Sequence, residues 1–154
     1  MNESILFHTL YPHQTSKTWV VFVHGAGGSS AIWFRQIRAY QKEHNVLVLD
    51  LRGHGKSSNL VEQFVNNNYS FDHVSQDIIN VLNYNEIDKA HFVGISLGTI
   101  LIRNIAEIAP SRVISMTLGG AITRFNTRSN TLVYLGNTFK HFLPYMWLYR
   151  LFAF

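Results

Sequence analysis

The chain has 154 residues, 47% apolar and 14% charged. That is long enough for one domain with a real core and too apolar for a disordered segment. It contains no cysteine, which excludes a disulfide framework and a thiolate metal site. The net charge of +4 comes from scattered basic residues. A nucleic-acid partner would need them clustered and interleaved with aromatics, so a mildly basic soluble protein is expected.

Met1-Asn2-Glu3-Ser4 has neither a basic nor an apolar leader region, so no signal peptide is expected. No apolar run reaches the roughly 18 residues of a spanning helix. The expectation is a cytoplasmic protein without a stable membrane anchor. Residues 4–11 alternate loosely and suit an edge strand, and residues 12–17 a turn. Trp19-Val20-Val21-Phe22-Val23 is a continuous apolar run, as in a parallel strand covered on both faces. Ser29 or Ser30 is placed to cap a helix reaching about Gln41, with Ile32, Trp33, Ile37 and Tyr40 near one face. Val46-Leu47-Val48-Leu49 is a second buried run. A connection rich in glycine, serine and asparagine follows from Leu51 to Asn68, and Ser70 can cap a helix from Phe71 to about Tyr84. Ala90-His91-Phe92-Val93 reads as a short strand, residues 99–109 as a helix stopped by Pro110, and Val113 to Leu118 as a further strand. Strands alternating with helices predict a mostly parallel α/β sheet with right-handed crossovers.

Three stretches carry candidate chemistry. His24-Gly25-Ala26-Gly27-Gly28-Ser29-Ser30 follows a strand and precedes a helix. Gly25, Gly27 and the later Asp50 suit a dinucleotide loop, although Ser30 stands where the third glycine belongs. The same loop suits an oxyanion hole, in which the Ala26 N–H is free to face a carbonyl oxygen. On this loop alone the two chemistries stay open. Gly55-Lys56-Ser57 copies the end of a phosphate-binding loop, but Asp50 occupies the required first glycine position. A packed turn with Asp50 or Arg52 in local ion pairs is expected there. His24 and His54 are expected to orient backbone through hydrogen bonds; the other histidines show no metal-ligand spacing. The third stretch, Gly94-Ile95-Ser96-Leu97-Gly98, fits G-x-S-x-G between a strand and a helix. Its serine sits in a strained turn, and a Cβ at Gly94 or Gly98 would collide with the neighbouring strand or helix.

Together, in this order, the three stretches resemble the α/β-hydrolase family, in its single-domain esterase- and lipase-like branch, over about residues 5–125. Trp33, and Asp77 on the helix before the serine, add to the likeness. The resemblance decides the first loop in favour of the oxyanion hole. It implies an α/β fold, a mostly parallel sheet with helices on both faces. It implies Ser96 as nucleophile, the backbone N–H groups of Leu97 and Ala26 as oxyanion hole, and His24, Gly25, Gly94 and Gly98 as supporting residues. It implies acyl transfer from a small-molecule substrate to water (an ester, lactone, thioester or amide) with no metal or organic cofactor. Ile95 and the aromatic tail favour an apolar acyl or ring group.

The family's acid and histidine follow the serine. After Ser96 this chain has one acidic residue, Glu107, and one histidine, His141. Glu107 lies about three turns along the helix that leaves the serine, roughly 16 Å from its start at 1.5 Å per residue. His141 lies in an aromatic tail. No triad acid or histidine is therefore assigned, and the fold is expected to be truncated before its late strands. Residues 1–125 would be the N-terminal part of the core and 126–154 the start of a helical lid. Simple packing helices over the sheet and a membrane-surface helix are the other readings of that tail. A non-catalytic protein of the same fold that binds a small ligand is the competing function.

Overall fold

The computed structural model describes residues 5–64, 70–121 and 131. The two long apolar runs become strands β2 (Trp19–Val23) and β3 (Asn45–Leu49). They pair in parallel, Val20 beside Val46 and Phe22 beside Val48. A short edge strand β1 (His8–Tyr11) pairs antiparallel with β3. Strands β4 (Ala90–Ile95) and β5 (Val113–Gly119) extend the sheet in parallel on the far side of β2, giving the order β1-β3-β2-β4-β5. Residues up to Ala121 belong to one compact unit. The expected boundary near residue 125 and the lid at 126–154 lie outside the described residues, apart from Thr131.

Side chains alternate across a strand, and here each set finds its own layer. Val21, Val23, Leu47 and Leu49 pack with Val74, Ile78 and Leu82 of helix α2 (Phe71–Tyr84) and with Leu101, Ile102 and Ile105 of helix α3 (Leu97–Ile108). Val20, Phe22, Val46 and Val48 face the other way, onto Trp33 and onto Ile37 of helix α1 (Phe34–Tyr40). The Phe22 ring lies 5.0 Å from that of Trp33 and 5.3 Å from that of Tyr40. Both faces of the central strands are covered, which is why those strands read as unbroken apolar runs. At β5 the cover ends: Ile114 and Met116 are exposed, and among the described residues the strand pairs only with β4.

Several local expectations need correction. The first helix is not continuous from Ser29. Residues Ser30–Trp33 form a 3-10 turn, and α1 proper has seven residues. Ser29 makes no side-chain cap bond, and the Ser30 N–H is drawn instead to Asp50 Oδ1, 2.6 Å away. Ile32 is exposed rather than on the buried face. The connection after β3 contains a long 3-10 segment, Gly55–Phe64. Ser70 caps α2 as expected, its side chain accepting the His73 N–H. Strand β4 runs on through Gly94 and Ile95, and α3 starts at Leu97 rather than Thr99.

Candidate active site

Those last boundaries compress the G-x-S-x-G turn to one residue. Ser96 alone joins β4 to α3, and it takes φ 49°, ψ −119°. A positive φ at a residue with a Cβ costs on the order of 1–3 kcal/mol and persists only where the surroundings enforce it. Here they do. The Ser96 N–H donates to Gly119 O at 3.0 Å. Its carbonyl accepts from the Thr99 N–H at 2.9 Å and from the Thr99 hydroxyl at 2.7 Å. The Ser96 side chain is left exposed at the sheet's C-terminal edge.

The flanking glycines are required by contact. A Cβ on Gly98 would stand 2.2 Å from Val23 O, and one on Gly94 would stand 2.4 Å from Ile102 Cδ1 and 2.9 Å from the Gly98 carbonyl. The first glycine loop reaches the same place from β2. A Cβ on Gly25 would lie 3.1 Å from Ser96 Cβ and 3.7 Å from Ser96 Oγ. The backbone preceding Ala26 therefore runs directly against the serine. The Ala26 N–H has no hydrogen-bond partner among the described residues. Leu97 is the first residue of α3, where N–H groups have no acceptor within the helix. The helix dipole adds partial positive charge at that end.

His24 sets the loop's shape. Its ring is fully buried, its Nδ1–H donates to Gly25 O at 2.7 Å, and its Nε2 accepts the Leu51 N–H at 3.0 Å. A carbonyl can only accept and an amide only donate, so the ring is neutral with its proton on Nδ1. Asp50 joins the two glycine loops. Oδ1 accepts from the Ser30 N–H and Oδ2 from the Lys56 N–H at 2.8 Å. Both oxygens are committed to backbone inside the chain, which suits a packed turn and not a ribose-binding acid. Arg52 grips Asp77 of α2 with two bonds, Nε to Oδ2 at 2.8 Å and Nη2 to Oδ1 at 2.5 Å, and its Nη1 donates to Leu60 O. His54, as expected, orients backbone, with Nδ1 3.0 Å from Arg52 O.

Two groups have shifted proton affinity. Burial holds the His24 ring below its usual 6.5; the Gly25 bond opposes this, His54 adds to it and Asp50 opposes it. Burial pushes the Asp50 carboxyl up, but the N–H groups of Ser30 and Lys56 outweigh it, and the net direction is down. For His24 the unfolded chain binds the proton more readily than the folded one. Its contribution to stability is therefore complete above about pH 6.5 and is lost as the pH falls through the lower folded value. Asp50 acts the same way in a separate, more acidic window. Urea midpoints should fall between pH 7.5 and 5.5, and fall less steeply in His24→Gln, whose side chain does not titrate. Equal slopes in the two proteins would contradict the buried neutral ring.

A cavity of about 230 Å³ opens against Leu97, the residue after the serine. Leu51, Phe71, Val74, Leu97 and Leu101 give it apolar walls, and His54 and Ser70 are its polar residues among those described. Sequence reasoning missed it. The one available signal was the apolar pair spacing at two helix starts, Phe71 with Val74 and Leu97 with Leu101. Glu107 is exposed near the far end of α3, away from Ser96, and His141 lies outside the described residues. Among the described residues, no group of three or more His, Asp or Glu side chains is arranged to hold a metal ion. No helix among them is long and apolar enough to cross a membrane.

Residues 18–146 match the alpha/beta hydrolase fold family. Over 101 residues the chain is 36% identical to a dihydrolipoyllysine-residue acetyltransferase component of an acetoin cleaving system from Pseudomonas putida, covering 66% of this chain and 26% of that protein. It is 28% identical to 3-oxoadipate enol-lactonase 1 of Acinetobacter baylyi, covering 70% of this chain and 38% of the relative. Among solved structures, a meta-cleavage product hydrolase from Pseudomonas fluorescens superposes with a TM-score of 0.68 at 32% identity, over 77% of this chain and 43% of that one. The chain thus spans less than half the length of these relatives. A loop at His24 that abuts Ser96, a one-residue turn at that serine and a match over residues 18–146 lead to one assignment: the chain belongs to the alpha/beta hydrolase fold family.

Proposed function

We propose that this chain is the nucleophile-bearing part of a serine hydrolase that transfers an acyl group to water. The observation that carries the reading is Ser96 held at positive φ, exposed, between the N–H of Leu97, which has no acceptor within its helix, and the loop that presents Ala26. In the proposed step Ser96 Oγ attacks the substrate's carbonyl carbon and gives its proton to a base. The carbonyl oxygen becomes an anion held by the N–H groups of Leu97 and Ala26, each worth about 3 kcal/mol of barrier. Collapse expels the leaving group with a proton, and water then releases the acyl group by the same route. An ester, lactone, thioester or amide meets these requirements, and an enol-lactonase among the relatives supports a cyclic or linear carboxylic ester.

A serine hydroxyl is a weak nucleophile without a base. The 154 residues hold only Glu107 and His141 after Ser96, and neither is assigned to it. The expected result is that p-nitrophenyl acetate turnover by the 154-residue chain changes less than tenfold in Ser96→Ala; a larger drop would show that a base is already present. A fluorophosphonate with imidazole added as external base should modify Ser96 ahead of the other serines, read by peptide mass spectrometry. Modification spread evenly over the serines would remove Ser96 as nucleophile. The apolar cavity also supports a second reading, a ligand-binding protein of the same fold. Ligand binding that Ser96→Ala leaves unchanged, with no selective labelling, would support it.

A further inference from the structure

The cavity against Leu97 has an unbalanced polar inventory among the described residues. Ser70 Oγ accepts the His73 N–H and lies 2.8 Å from His73 Nδ1, so its hydroxyl is used at the helix cap. His54 is different. Its Nδ1 faces the Arg52 carbonyl at 3.0 Å. A carbonyl only accepts, so the neutral ring carries its proton on Nδ1 and a lone pair on Nε2. No hydrogen bond reaches that Nε2 among the described residues. The neighbouring His24 ring, 5.2 Å away, cannot serve in its place, because both its nitrogens are bonded to backbone. Among the described residues the rest of the wall is apolar, and Leu97, next to Ser96, forms part of it.

We infer that this cavity selects an apolar acyl or ring group bearing a hydrogen-bond donor, a hydroxyl or N–H, which His54 Nε2 accepts. The inference rests on the hydrolase reading only for what happens at Ser96; the selection itself is a binding property. Size fits the class. An apolar cavity of about 150 Å³ takes benzene, so 230 Å³ takes a substituted ring or a short branched chain. His54 is held for the task by its own loop. Arg52 is clamped to Asp77, and the Lys56 N–H is bonded to Asp50, so the residues on both sides of His54 are tied down.

The test is a matched pair of probes that differ in one donor, 4-ethylphenol and 4-ethylanisole, titrated into the full chain and followed by NMR. The phenol should bind about five- to tenfold more tightly, the range one hydrogen bond in a partly dry site provides. In His54→Leu both probes should still bind and the preference should vanish. In His54→Gln, whose carbonyl oxygen also accepts, most of the preference should return. Equal affinities in the wild type, or a preference kept in His54→Leu, would overturn the inference. So would tighter binding of 4-ethylbenzoate than of the phenol, which would mean a cationic site. Fluorophosphonate labelling of Ser96 is scored on the same preparations. Labelling without donor preference removes the inference and leaves the hydrolase reading. Donor preference without labelling does the reverse.

Discussion

Gly98→Ala should destabilise the protein by about 3 kcal/mol or more, although alanine is the better helix former. The two effects have opposite signs, so the outcome decides between them. Within α3, alanine in place of glycine is worth about 1 kcal/mol in favour of the helix. Against this, the added Cβ would stand 2.2 Å from Val23 O, 2.9 Å from Val23 C and 3.0 Å from His24 O. All three atoms are backbone of β2 and its loop, so no rotamer change relieves them. The helix start would have to move away from the sheet, and overpacking of this kind costs about 1–3 kcal/mol even where side chains can yield. Gly94→Ala is the natural comparison. Its first obstacle is Ile102 Cδ1 at 2.4 Å, the far end of a flexible side chain, and the backbone it meets next, the Gly98 carbonyl, is at 2.9 Å rather than 2.2 Å. Its cost should be smaller, and Ile102→Val should recover part of it. Urea denaturation of the three variants measures this. A Gly98→Ala protein as stable as the wild type would show that α3 does not approach β2 as closely as described. Selective labelling of Ser96 should fall with stability in Gly98→Ala, because the same shift carries the N–H of Leu97 away from the serine.

The turn at Ser96 was legible in the sequence because its constraints are steric and select glycine at fixed spacing. A serine between two glycines, after an apolar strand and before a helix, leaves few alternatives. The central strands were legible because both faces are covered, which turns alternation into an unbroken apolar run in Val20–Val23 and Val46–Leu49. What could not be read is what depends on distant partners. Ser30 looked like a helix cap, yet its N–H goes to Asp50, twenty residues on. Asp50 had two readings at the level of the chain, a ribose acid or a packed turn, and only the partners of its two oxygens separate them. Residues 55–64 have the composition of a loop, but Asp50 holds the Lys56 N–H at the start of the segment and Arg52 binds Leu60 O within it. The cavity is assembled from the starts of two helices and one loop, so no single stretch announces it.

The Arg52–Asp77 pair is the other place where one substitution should have a large effect. Both side chains are nearly buried, 7% and 12% exposed, and they meet through a two-point contact. Removing one partner from such a pair strands the other charge and costs about 3–5 kcal/mol. Asp77→Ala should therefore lower stability by that amount. Arg52→Lys should not preserve the pair, because an ammonium lacks the planar fork that spans both carboxylate oxygens. Removing both charges is a different experiment. Arg52→Met with Asp77→Val roughly keeps volume and leaves no stranded charge, and such exchanges are often close to neutral. Here Leu60 O also loses its donor, so a residual cost of about 1–2 kcal/mol is expected. The double variant should thus be more stable than either single one, a non-additivity that a double-mutant cycle reads directly. If Asp77→Ala costs less than about 1 kcal/mol, the pair is solvated and the loop is held some other way. The consequence reaches the cavity. Arg52 ties the loop carrying His54 to α2, whose first turn supplies Phe71 and Val74 to the opposite wall. The charge-free double variant should accordingly keep its fold while losing the preference for 4-ethylphenol, because its loop is packed but no longer pinned.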